Sequence, residues 1–122
     1  MMPIPASKLG GRIARGRRRR VEGMNGLEQE YAGLLELRRH AGEIAWWAFE
    51  AMTFRLADDT RYTPDFAVML ADGQMEIHET KGHWEDDAKV KIKVAASMFP
   101  FRFFALRKRP KKEGGGWAQE EF

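Results

Sequence analysis

The stretch Arg61–Gly82, RYTPDFAVMLADGQMEIHETKG, decides the fold. It reads as two β-strands joined by a short turn. Met75, Ile77, Glu79 and Lys81 share one parity of an extended segment, and Glu76, His78 and Thr80 take the other. Between the two segments, Asp72-Gly73 is a dipeptide that favours a tight hairpin. In a hairpin the start of one strand lies beside the end of the next. Asp65, which opens the first strand after Pro64, is therefore expected to meet Glu79 and Lys81 at one edge of the sheet.

Two carboxylates and a lysine at one spot have a chemical use. Hard divalent cations such as Mg²⁺ take oxygen ligands, commonly one or two carboxylates with waters and a substrate phosphate. A cation so held lowers the pKa of bound water and stabilises charge on a phosphoryl oxygen. A lysine two residues from Glu79, on its face, can orient or activate the attacking water or neutralise developing charge. Such a set can cut a phosphodiester. The same residues would also fit a solvated strand end with a surface ion pair, which is worth little.

Working outward, Asn25–Arg39 reads as a helix. Asn25 is placed as N-cap with Glu28 three residues on, and Leu27, Tyr31, Leu34, Leu35 and Arg38 follow helical spacing up to His40-Ala41-Gly42. Glu28 and Glu30 lie at the two rims of that stripe. Ile44–Leu56 reads as one strand, with Trp46 and Trp47 on opposite faces as core residues, base stacking being the lesser alternative. Glu50 falls near the hairpin edge with its direction open, and Asp58-Asp59-Thr60 is a solvated turn. After His83 and Trp84 comes a helix to about Met98, its expected buried stripe being Val90, Val94 and Met98 with Ala95 beside it. Pro100 precedes a last strand, Phe101–Leu106. The strands before and after that helix should be parallel, joined by a right-handed crossover.

The net charge of +3 conceals a sharper pattern. Residues 1–21 carry seven Lys/Arg and no acid, and residues 107–112 carry five Lys/Arg in six positions. Residues 22–106 hold nine bases against fifteen acids, a net of −6. Basic flanks on an acidic, cation-binding core point to a polyanionic partner. The flanking candidates for nucleic-acid contact are Arg17, Arg18, Arg19, Arg20, Arg107, Lys108 and Arg109. Nearer the hairpin they are His83, Trp84, Lys89, Lys91 and Lys93. A solubilising tail or a localisation run is the alternative use of the first arm. With no cysteine there is neither a disulfide framework nor a thiolate metal site. That composition suits a reducing cytoplasm. No apolar run approaches the roughly 20 residues of a membrane span, and no apolar segment marks a secretory signal. The length fits one domain, read as a basic arm (1–23), a core (24–108) and a basic, glycine-rich tail (109–122).

Pro64-Asp65, then Glu79-Thr80-Lys81 with Gly82 after it, resembles the signature of the PD-(D/E)XK nuclease superfamily. The similarity runs from about Asn25 to Leu106 and looks closest to small phage-encoded nucleases of the Holliday-junction-resolvase type. It implies an α/β, restriction-endonuclease-like core: helix, three strands, helix, strand, with a mixed sheet and basic flexible termini. It also implies Mg²⁺ (Mn²⁺ substituting) bound by Asp65, Glu79 and the Thr80 carbonyl, with Lys81 assisting the nucleophile. The segment Leu27–Tyr31 is similar to the first-helix segment of those nucleases, which makes Glu28 the helix carboxylate, with Glu30 as the alternative. The implied activity is cleavage of branched DNA, four-way junctions among it, by a homodimer in the host cytoplasm. Three rivals stand beside it: a flap- or nick-directed phage nuclease, a DNA-binding accessory protein without catalysis, and a basic virion or RNA-binding protein.

Overall fold

A computed structural model of the chain describes residues 23–82 and 86–122. The first arm with Arg17–Arg20, together with His83 and Trp84, lies outside the described residues.

Helix α1 spans Gly26–His40. Its capping box is complete: the Glu28 N–H donates to Asn25 Oδ1 at 2.8 Å, and the Asn25 N–H donates to Glu28 Oε1 at 2.9 Å. Ala41 closes the helix, and Gly42 at φ 84° turns the chain away. Tyr31, Ala32 and Leu35 face the sheet.

The expected single strand over 44–56 is two strands. β1 (Ile44–Phe49) stops where Glu50 adopts φ 50°, a left-handed conformation that no strand continues through. There the Glu50 N–H donates to the Asp65 carbonyl at 2.7 Å. The chain then forms a separate hairpin, β2 (Phe54–Ala57) and β3 (Thr60–Tyr62), turning at Asp58-Asp59 with Asp59 at φ 61°. The register of β1 also slips between Ile44 and Trp46, so Ile44 joins Trp47 and Phe49 on one face instead of Trp46.

The central hairpin stands as its turn chemistry dictates. β4 (Phe66–Leu70) pairs antiparallel with β5 (Met75–Thr80), Phe66 opposite His78, and Gly73 at φ 91° sits in the turn. Helix α2 (Asp86–Met98) crosses to β6 (Arg102–Lys108), which runs parallel to β5. The flexible tail expected after residue 108 is instead a 3₁₀ turn (Lys111–Glu113) and β7 (Trp117–Glu121), antiparallel to β6. Gly114, Gly115 and Gly116, all at positive φ, reverse the chain there. The result is a mixed five-stranded sheet, β1-β4-β5-β6-β7, in an α/β fold with two helices.

Each face of the sheet has its own core. Tyr31 and Leu35 of α1 pack on Ile44, Phe66, Val68, Phe104 and Leu106, with Trp47 and Trp117 at the margin. On the other face Ile92 and Ala95 of α2 meet Phe54, Tyr62, Ile77 and Phe103, with Trp46 beside them. The two tryptophans thus serve opposite cores, as their parity requires. The α2 stripe differs in part from expectation: Ala95 is buried as placed, but Val90 and Met98 are 57% and 50% exposed and Ile92 is wholly buried in their stead. The small Ala95 lets the helix approach the sheet closely, and that contact fixes the rotation of the helix. Among the described residues no helix is long and apolar enough to cross a membrane.

Candidate active site

Asp65 is held between buried Pro64 and the first residue of β4. Its Oδ2 accepts from the Thr80 N–H at 2.9 Å and from Thr80 Oγ1 at 2.8 Å. Glu79 answers from the opposite strand: its Oε1 accepts from the Asp65 N–H at 2.9 Å. Lys81 Nζ lies 3.2 Å from Glu79 Oε2. The open end of the β4–β5 hairpin is therefore cross-linked by its own two carboxylates. Both are buried, Asp65 at 8% and Glu79 at 6% exposure, while the Lys81 side chain is 28% exposed at the rim.

Tyr62 is the residue that sequence reasoning missed. It is buried on β3 and its hydroxyl donates to Glu79 Oε1 at 3.1 Å. Burial, then the charges of Glu79 and Asp65, push the phenol far above its ordinary value, so it stays a proton donor. Glu79 Oε1 thus has two fixed donors, which sets the direction of Oε2. The available signal was the alternation Phe54-Arg55-Leu56 and Thr60-Arg61-Tyr62 around Asp58-Asp59, the pattern of a second hairpin.

Of the two helix glutamates, Glu28 is the one brought to the site. Its carboxyl is raised by burial first, opposed by the Asn25 N–H, and raised again by the adjoining Asp65 carboxylate and by Glu50. Glu28 caps its own helix and faces Asp65 at once. Glu30 turns the other way and pairs with Lys108 at 2.6 Å. Glu79 is likewise raised by burial and then by Asp65, against the Asp65 N–H and Lys81. Negative charge is thus concentrated where Asp65, Glu79 and Glu28 converge.

The candidate contact residues are dispersed. Lys91 Nζ donates to the Arg61 carbonyl at 3.2 Å and Arg109 Nε to the Gly115 carbonyl at 3.0 Å. Lys89 is half-buried, and Lys93 and Arg107 are exposed. Asp58 and Asp59 are exposed turn residues, as expected.

Among the described residues, no group of three or more His, Asp or Glu side chains is disposed to hold a metal ion. A pair remains, Asp65 and Glu79, with Glu28 alongside. That donor set fits a hard cation that keeps waters and uses one or two carboxylates. No family model matches the chain, and neither the curated proteins nor the solved structures contain a match to it.

The raised carboxyls make a prediction about stability. Folded Glu28 and Glu79 hold their protons more tightly than in the unfolded chain. Without divalent cation, their contribution to stability therefore falls as pH rises from the ordinary 4.5 through the raised values. A cation bound to them at ten times its Kd would add back about 1.4 kcal/mol, or roughly 5–10 °C in Tm for a domain of this size. Thermal melts from pH 5 to 8 in EDTA and in Mg²⁺ should diverge with rising pH. Parallel curves would show that the cation does not bind these carboxylates.

Proposed function

We propose that the chain is a divalent-cation-dependent DNA endonuclease with the restriction-endonuclease-like core of the PD-(D/E)XK superfamily, acting on branched DNA. The observation that carries this reading is the convergence of Asp65, Glu79 and Lys81 at one end of the β4–β5 hairpin. The order α1, β1, β4, β5, α2, β6, with parallel β5 and β6, supports it, with β2–β3 inserted and β7 added. So does the contrast between a core of net −6 and strongly basic flanks.

In this reading Asp65 and Glu79, with Glu28 and the Thr80 carbonyl beside them, would hold Mg²⁺, or Mn²⁺ in its place. The bound cation would supply Lewis-acid neutralisation of phosphoryl charge and a more acidic water. The chain's own groups do the rest. Tyr62 and the Asp65 N–H fix Glu79. Glu79 in turn orients Lys81, whose ammonium at the rim can donate to the attacking water or a phosphate oxygen. Hydrolysis joins the water oxygen to phosphorus and breaks one P–O bond, the leaving oxygen gaining a proton. A homodimer would present two such sites about a two-fold axis, as paired nicks in a four-way junction require.

The test is incubation of the purified protein with labelled four-way junction, flap, duplex and single-stranded DNA in Mg²⁺ or EDTA. Mg²⁺-dependent paired nicks in the junction are expected. Equal binding with and without Mg²⁺, and no cutting of any substrate, would replace the nuclease with a binding module.

A further inference from the structure

We propose that the outer face of the β2–β3 hairpin, carrying Arg55 and Arg61 with Lys91 of α2 beside it, is the surface that grips the phosphate backbone of DNA flanking the cut. This rests on the nuclease reading for its substrate, but the surface stands on separate observations.

Arg55 and Arg61 are direct cross-strand partners. The neighbouring pair, Phe54 opposite Tyr62, is buried with stacked rings 6.5 Å apart, so the two arginines occupy the opposite, solvent face. Like charges placed directly opposite destabilise a strand pair. A two-stranded hairpin is marginal to begin with. Three other arginines face acids: Arg38 faces Glu43, Arg39 faces Glu36 and Arg102 faces Glu121. Here two arginines face each other, an arrangement suited to a polyanion. Arg55 also pairs with Asp58, but the side chains are 65% and 89% exposed. Exposed ion pairs are weak, and a phosphate can displace such a partner at small cost. Lys91 adds a third cation, its Nζ 3.2 Å from the Arg61 carbonyl.

The hairpin is anchored where a guide would need to be. Phe54 is rooted among Phe99, Phe101 and Phe103, with centroids at 4.7, 6.1 and 5.6 Å. The Thr53 and Thr63 hydroxyls join at 2.7 Å across its base. Tyr62, next to Arg61, is bonded to Glu79. Arg61 is four residues from Asp65, a separation of at most about 14 Å along the chain. At ~3.4 Å per nucleotide that is about four nucleotides of one strand. The cations are thus on an element anchored at its base within a few phosphates of the proposed cut.

The experiment compares Arg55→Gln/Arg61→Gln with the wild type and with Arg38→Gln/Arg39→Gln as a charge-matched control. Duplex DNA binding is titrated in EDTA over a range of salt, and thermal melts establish that each variant is folded. The hairpin variant is expected to melt no lower than wild type and to lose about two from the slope of log affinity against log salt. The control should keep the wild-type slope. An unchanged slope in the hairpin variant, or an equal loss in the control, overturns the proposal. Wild-type hydrolysis of bis-p-nitrophenyl phosphate in Mg²⁺ or Mn²⁺ is measured alongside. No hydrolysis with the slope effect intact removes the nuclease and keeps the surface. Hydrolysis with an unchanged slope does the reverse.

Discussion

Asp65→Asn is expected to lower metal-dependent cleavage by about 10³-fold or more, a barrier increase of ~4 kcal/mol, without lowering the stability of the fold. The two halves of this expectation come from different atoms. Asp65 accepts from the Thr80 N–H and Oγ1 through one oxygen, and an asparagine Oδ1 can accept the same two bonds. Its new amide would face Glu28, a carboxyl that the Asp65 charge now disfavours. Glu79 is relieved in the same way. Near neutral pH the cation-free variant should therefore melt at or above the wild-type temperature. What asparagine cannot supply is the negative charge with which a carboxylate holds a hard cation. Asp65→Ala separates the effects from the other side. It leaves the Thr80 N–H and hydroxyl without their acceptor, at a cost of about 1–3 kcal/mol, and on the proposed function should be equally inactive. Single-turnover cleavage beside thermal melts tests both. Asp65→Asn cutting within tenfold of wild type would remove Asp65 from the chemistry.

How much of this was legible follows from the range of the interactions. The β4–β5 hairpin is specified by a turn dipeptide and strand parity, both local, so the meeting of Asp65, Glu79 and Lys81 could be read directly. The Asn25–Glu28 capping box is local too. Glu28 came forward through resemblance, and its place against Asp65 depends on how α1 lies across the sheet. The break at Glu50 was not legible, since nothing in Ala-Phe-Glu-Ala-Met announces a left-handed residue. With that break hidden, the β2–β3 hairpin, Tyr62 and the Arg55–Arg61 pair were hidden as well. β7 was lost because three consecutive glycines read as a linker, when here they make a reversal. The α2 stripe was legible only at Ala95: apolar residues occur around much of that helix, and the burial of Ile92 in place of Val90 and Met98 is set by packing on the sheet.

Parity did place His78 with Glu76 and Thr80, away from Glu79, and the structure gives that face a buried polar chain. The Tyr31 hydroxyl lies 2.6 Å from His78 Nδ1, and His78 Nε2 lies 2.9 Å from Glu76 Oε1. Burial raises the Tyr31 phenol far above its ordinary value, so it keeps a proton that it can donate to Nδ1 in the tautomer whose Nε2–H donates to the Glu76 carboxylate. Arg102 lies 3.7 Å from the other Glu76 oxygen, grips Glu121 of β7 through two 2.9 Å hydrogen bonds, and stands 4.9 Å over the Phe104 ring. Helix α1, β5, β6 and β7 are thereby joined through one carboxylate. Among the described residues no buried side-chain polar atom lacks a partner, so removing that carboxylate creates a defect where none exists. Glu76→Ala should cost about 3 kcal/mol and lower Tm by on the order of 15 °C. Glu76→Gln keeps an acceptor for Nε2–H and should recover most of the loss. Because Tyr31 sits one turn beyond Glu28 on α1, the chain of bonds supports the site without touching it. Cleavage by Glu76→Ala, assayed well below its melting temperature, should stay within about tenfold of wild type, and a wild-type melt would show that the network carries no stability.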